Sequence, residues 1–270
     1  MNIVAGGDSF VYGSELKDCI RAHSHSTFPA LLAHDVKQTY RCTAWPGIGN
    51  DAIARRVIDE LYVHRIHGAQ ARDLFVIVNW TFPGRYEFRF NYDTGQRTGH
   101  WYAITPHTVD IKLENPIARM QSEHIARATQ KGTAEFAESF YKHVGGSYWD
   151  TYQSLKEIVY LQNYLIANGI NYMFTCADNS ILYNKLIHDA SNRSMKKCDD
   201  NINMLVKEIK DRQHNWFWFP DGESGPRGFY QWAMENKYPS GETHPLEQAH
   251  EAAYQLMKDK FNELVKESLE

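Results

Sequence analysis

The stretch "DLFVIVNWT" holds five successive apolar residues, Leu74 to Val78, most of them β-formers. A run with no polar face suits a strand covered on both sides, the pattern of a parallel sheet sandwiched by helices. The rest of the chain keeps the matching rhythm. "NIVA" (2–5) is a first strand, and "TFPALLAHDV" (27–36) a helix with apolar residues at three- and four-residue spacing. "KQTYRCTAW" is a second strand, followed by the helical "NDAIARRVIDELYVHRI" with Ile53, Val57, Ile58 and Leu61 on one side. "YQSLKEIVYLQNYLIANG" carries Leu155, Ile158, Val159, Leu165 and Ile166 on one face, with Gly169 placed as its stop. "INYMFTCA" is a fourth strand and "NWFWFP" a fifth.

In the last helix, "HPLEQAHEAAYQLMKDKFNELVKESLE", Pro245 suits the first position, His244 the N-cap and Glu247 the third residue. Alternating strands and helices predict an α/β chain. Its expected form is a three-layer α/β/α sandwich around a parallel, about five-stranded sheet. The 270 residues read as one domain, 43% hydrophobic and so able to build a sizeable core. Residues 86–150 read as an insertion, opening with a hairpin-like excursion in "PGRYEFRFNYDTGQRTGHWY".

Charge and cysteines narrow the class. A net charge of −4 argues against nucleic acid bound through bulk charge. Cys19, Cys42, Cys176 and Cys198 form no C-x-x-C pair, which favours a reduced protein. Strand-like sequence from Asn2 replaces any basic and apolar leader, so we expect a cytoplasmic protein, with a phage-encoded origin also open. No apolar run is long enough to span a membrane. "HSH" (His23, His25) and "HRIH" (His64, His67) lack metal-site spacing, and no Walker or G-x-S-x-G pattern occurs. No metal or cofactor is expected.

Ligands of such sheets bind at the carboxyl ends of the strands. Three residues of interest follow such ends: Ser9 after "NIVA", Gly49 after the second strand, and Thr81 after "LFVIVNW". Gly6 and Gly7 allow a sharp turn that would expose Ser9 as a nucleophile; as a plain helix start, Asp8 or Ser9 would be an N-cap. A nucleophilic serine needs a base, and His244, fixed by Pro245, is the candidate.

The blocks "GGDSFVYG", "AWPGIGND", a polar turn after the third strand and "HPLEQAH" occur in an order that resembles the SGNH/GDSL hydrolase superfamily. The resemblance implies a flavodoxin-like α/β/α fold and metal-free ester hydrolysis by a Ser-His-Asp triad or Ser-His dyad. It carries Ser9 over as nucleophile and first oxyanion donor, Gly49 as second donor with Gly47 as the other register, and His244 as base. Thr81 falls at the family's asparagine, with Asn79 as the other amide within reach. The family's aspartate three residues before the histidine is here Gly241. That leaves Glu242 as nearest carboxylate in sequence and Asp221 as one approaching through space. His250 is expected to pack or cap.

Asp8, Asn50, Trp80 and Arg85 are candidate pocket residues, and Arg85 and Glu87 would contact substrate or pair with each other. The expected substrate is a small-molecule or carbohydrate ester with a short acyl group such as acetyl. Two other readings stay open: a binding or structural protein that keeps the fold without the activity, and a flavodoxin-like nucleotide or flavin binder.

Overall fold

The computed structural model describes residues 1–90, 100–106, 132–183, 196–222 and 225–267. Three early strands, β1 (Asn2–Gly6), β2 (Thr39–Cys42) and β3 (Leu74–Trp80), precede an antiparallel hairpin of β4 (Tyr86–Phe90) and β5 (His100–Ile104). A later strand, β6 (Asn171–Cys176), completes a parallel sheet of order β2-β1-β3-β6. The α/β sandwich expectation holds, with four strands among the described residues in place of about five. At the fifth position "NWFWFP" makes a single parallel bridge, Trp216 to Phe174, closed by the Phe217 N–H on the Phe174 carbonyl at 2.8 Å. Its continuation instead forms β7 (Phe219–Gly222), which pairs with β8 (Gly225–Arg227) in a separate small hairpin.

The period-two alternation of β3 divides two cores. Leu74, Val76, Val78 and Trp80 face α3 (Asn50–Ile66) and the longer helix after the insert, while Phe75 and Ile77 face the opposite layer. In order, the helices are α1 (Ser9–Tyr12), α2 (Phe28–Asp35), α3, α4 (Thr133–His143), α5 (Ser147–Ala167), α6 (Ser180–Tyr183), α7 (Lys196–Lys210), α8 (Phe229–Glu235) and α9 (Glu247–Glu267). One core joins α3 and α5 through Val57, Leu61, Ile158 and Leu165; the other joins α2 and α9 through Phe28, Leu32, Met257 and Phe261. Each such fully buried side chain contributes roughly 1.5–3 kcal/mol. Gly169, at φ 64°, ends α5 as the sequence predicts. The β4–β5 hairpin packs Tyr86 and Ile104 on Ala137 of α4, a small cluster of its own.

The last helix starts later than expected. Its first residue is Glu247, so His244 is not its N-cap and Pro245 is not its first residue. Ser240 and Pro245 pair across an antiparallel bridge, and the Leu246 N–H reaches the Pro239 carbonyl at 2.9 Å. The extended backbone that Pro245 favours is used in this small loop. His244 therefore projects from a closed turn.

Candidate active site

Ser9 sits where β1 ends. A Cβ on Gly7 would meet Val11 Cγ2 at 2.5 Å, so glycine lets α1 fold directly back on the strand. Asp8 is the N-cap of α1, its Oδ1 accepting from the Phe10 N–H at 3.1 Å. The cap reading holds for Asp8, while Ser9 is the first residue of α1 and lines a cleft. Ser9 is 8% exposed, and among the described residues its hydroxyl makes no hydrogen bond. The cleft, about 610 Å³, is lined by Ser9, Gly47, Phe82, Arg85, Tyr230 and His244, among others.

His244 is held by a carboxylate that sequence reasoning missed. Its Nδ1 lies 2.8 Å from Glu15 Oε1, and Thr243 Oγ1 donates to the same oxygen at 3.0 Å. The Thr243 N–H adds a long contact of 3.4 Å to Glu15 Oε2. A carboxylate on Nδ1 fixes the proton there and leaves Nε2 as the basic nitrogen. Partial burial pushes the Glu15 carboxyl up, but the hydrogen bonds from His244 and Thr243 outweigh it and hold it below its ordinary value. The ring of Phe10, next to Ser9, packs edge-on against the His244 imidazole at 5.3 Å. Ser9 and His244 share the cleft without a direct hydrogen bond, a spacing common before substrate binds.

Gly241 leaves the room that the Glu15 carboxylate occupies beside His244. A Cβ at that position would lie 1.9 Å from Glu15 Oε2, so the space of a side chain at 241 is filled by the Glu15 carboxylate. Glu15 itself adopts φ 71°, a costly backbone for a non-glycine residue, anchored where the Lys17 N–H reaches Glu247 Oε1 at 2.9 Å. Glu242 is exposed and forms no hydrogen bond or ion pair with His244, and the Asp221 side chain lies outside the described ones. The trace of Glu15 in sequence is Gly241 itself, a glycine where the resemblance expects an aspartate.

The other predicted positions separate. Thr81 is buried, and its hydroxyl donates to Asp8 Oδ2 at 2.5 Å while its N–H goes to Asn50 Oδ1 at 2.9 Å. Neither donor is left for a substrate. Asn50 returns its Nδ2 to the Thr81 carbonyl at 3.1 Å, which makes it a brace for this turn. Asn79 is buried in β3, its amide atoms without protein partners, and it does not line the cleft. Trp80 points into the α3–α5 core and is not a pocket residue.

Gly49 is buried against the Arg85 carbonyl, which a Cβ would meet at 2.1 Å, whereas Gly47 lines the cleft. Asp8 is fully buried and binds Arg85 Nη1 at 2.9 Å, so it faces its own cation and not the cleft. Arg85 does reach the cleft, but Glu87 pairs with Arg55 at 3.0 Å. His250 packs and caps: buried between Phe28 and Phe229, it accepts the Phe28 N–H at 3.3 Å. Among the described residues no helix is long and apolar enough to cross a membrane.

No family model matches the chain, and no curated protein matches it in sequence. Among solved structures it is similar to a lipolytic protein of the G-D-S-L family from Veillonella parvula, at 11% identity and TM-score 0.42 over 98% of this chain and 97% of that one. It is similar to the acetyl xylan esterase AlAXEase at 10% identity and TM-score 0.43, over 96% and 98%. Phospholipase A1 from Streptomyces albidoflavus aligns at 13% identity and TM-score 0.41, over 97% and 98%. These likenesses are weak, and the chemistry rests on the side chains just described.

Proposed function

We propose that the protein is a serine ester hydrolase that removes a short acyl group through an acyl-enzyme on Ser9. The observation that carries this reading is the shared cleft. Its lining holds both the unbonded Ser9 hydroxyl and His244, whose Nδ1 is held by Glu15 at 2.8 Å. In the first step Ser9 Oγ attacks the ester carbonyl carbon and His244 Nε2 takes its proton. Glu15 keeps the imidazole in the required tautomer and balances the imidazolium. The tetrahedral oxyanion accepts from the Ser9 N–H and from the glycine turn where Gly47 lines the cleft. Collapse expels the alcohol, protonated by His244, and water activated by the same nitrogen releases the acid.

An open cleft ringed by Phe10, Phe82 and Tyr230 suits a small acyl group better than a long chain. Beyond Arg85 lies a second cavity of about 220 Å³, where Trp149, Phe88 and Phe140 meet Gln153 and Lys156. Aromatic faces among polar groups suit a sugar ring, so an acetylated carbohydrate is the substrate we favour. On the side of a non-hydrolytic binding role stands one observation, the absence of a Ser9–His244 hydrogen bond.

Hydrolysis of p-nitrophenyl acetate by the wild type and Ser9→Ala proteins, against free imidazole, separates the two. Loss to background in a folded Ser9→Ala protein supports the hydrolase. Equal low rates from both proteins overturn it in favour of binding.

A further inference from the structure

We infer that Arg85 supplies the oxyanion donor that Thr81 cannot, through the guanidinium N–H groups it leaves free at the mouth of the Ser9 cleft. The inference rests on the hydrolase reading above. Its first support is the commitment of Thr81, whose hydroxyl and N–H are both spent inside the protein. Arg85, four residues on, lines the same cleft as Ser9 and His244.

The second support is that Arg85 is fixed before any substrate arrives. Its Nη1 donates to Asp8 Oδ2 at 2.9 Å and to Thr81 Oγ1 at 3.0 Å, and its guanidinium carbon lies 5.0 Å from the centre of the Phe82 ring. Its own carbonyl is packed against Gly49. A guanidinium carries five N–H donors, and Nε and Nη2 have no acceptor among the described residues. Arg85 lines both the Ser9 cleft and the neighbouring cavity, and these are the donors it has left for a ligand there.

The third support concerns charge. Asp8 is fully buried beside Arg85, so the pair is close to neutral as a unit. A permanent anion would gain little from such a pair, because Asp8 repels what Arg85 attracts. A carbonyl oxygen that becomes negative only in the transition state gains the directed N–H bonds when they matter. That difference between ground and transition states is what raises kcat.

The test uses Arg85→Lys, which keeps a cation for the buried Asp8 and avoids leaving it unpaired, but removes the planar fork. Kinetics are read on an acetate ester and on a succinate monoester, with Ser9→Ala as the control and thermal melting as the folding check. We expect kcat to fall about 100-fold on both esters with KM within threefold, and affinity for methylboronic acid, which forms a tetrahedral adduct on serine, to fall in step. Ser9-dependent hydrolysis with an unchanged kcat in Arg85→Lys overturns the assignment and leaves the hydrolase reading standing. So does a loss confined to KM for the succinate monoester, which makes Arg85 a binder of anionic substrates. Wild-type protein with no Ser9-dependent hydrolysis and no boronic acid binding overturns both.

Discussion

The two walls of the cleft are built by different physics. On the Ser9 wall the parts lie close in sequence or at the ends of adjacent strands. Gly7 packs on Val11, Asp8 caps α1, and Thr81 and Arg85 close on Asp8 from the end of β3. Asp8, Ser9, Val11 and Thr81 are buried there and the Arg85 side chain is 24% exposed, so packing and an ion pair with one fully buried partner hold it. On the other wall, Glu15 and His244 meet across 229 residues, in two loops with side chains 28% and 17% exposed. That wall stands on a few polar contacts in partial reach of water, each individually weak. Ser9 is fixed by the core and His244 by loops, so on the hydrolase reading damage to stability and damage to activity separate by wall.

The largest effect tests that separation directly. His244→Ala should lower kcat/KM for p-nitrophenyl acetate by about 10⁴ or more, while the melting temperature stays near the wild-type value. A fall of less than tenfold would mean that the second wall does not serve catalysis.

Next comes His250, on α9 behind the same wall but within the core. Burial, helped by the neighbouring His244, pushes its pKa down to about 3, while an unfolded chain titrates at 6.5. The unfolded state therefore binds the proton first. The stability contribution is complete above pH 6.5 and is lost as pH falls toward 3. At about 1.4 kcal/mol per unit, the loss between pH 7 and pH 4 is about 3 kcal/mol. Urea denaturation at those two pH values should show the gap between wild type and His250→Asn narrowing by that amount. An unchanged gap would place protonation elsewhere.

The contrast also explains what could be read in the sequence. Apolar periodicity reports burial, and β1, β3, β6 and the inner face of α3 are buried, which makes them legible. The Gly-Gly turn after β1 is what marks Ser9. The fifth strand was not legible, because "NWFWFP" is as apolar as a strand yet spends its backbone on one bridge and then on β7. Thr81, Asn79 and Trp80 were placed by counting from the strand end. Counting cannot tell which of three successive polar or aromatic residues turns inward, and here all three did. Glu15 escaped because nothing local marks a residue whose partner lies in a distant loop; only Gly241, the empty side of that contact, left a trace.

Glu15→Gln keeps the shape of the contact and removes its charge. It should cost about 100-fold in kcat with little change in KM, and the acid limb of the rate–pH profile should move to lower pH, because the imidazolium loses its counter-charge. The wild-type carboxylate is held below its ordinary range, so it stays ionised across that limb. A lower rate with an unmoved limb would make Glu15 a loop anchor without electrostatic influence on His244.

The smallest effect asks whether the acid has one place or two. Aspartate at 241 is excluded while Glu15 is present, since its Cβ would lie 1.9 Å from Glu15 Oε2. Gly241 does not have a left-handed φ, so a side chain there meets no backbone penalty once that space is cleared. Gly241→Asp alone should therefore be nearly as impaired as Glu15→Ala, because the two carboxylates compete for one volume. The double variant Glu15→Ala/Gly241→Asp should recover about tenfold in kcat over Glu15→Ala, roughly 1.4 kcal/mol of transition-state stabilisation. Recovery would mean that the His244 wall needs a carboxylate at Nδ1 and tolerates either loop as its source. A folded double variant no faster than Glu15→Ala would mean that it needs the Glu15 loop itself, with Thr243 bound to it, and the two walls would then be less different than their exposure suggests.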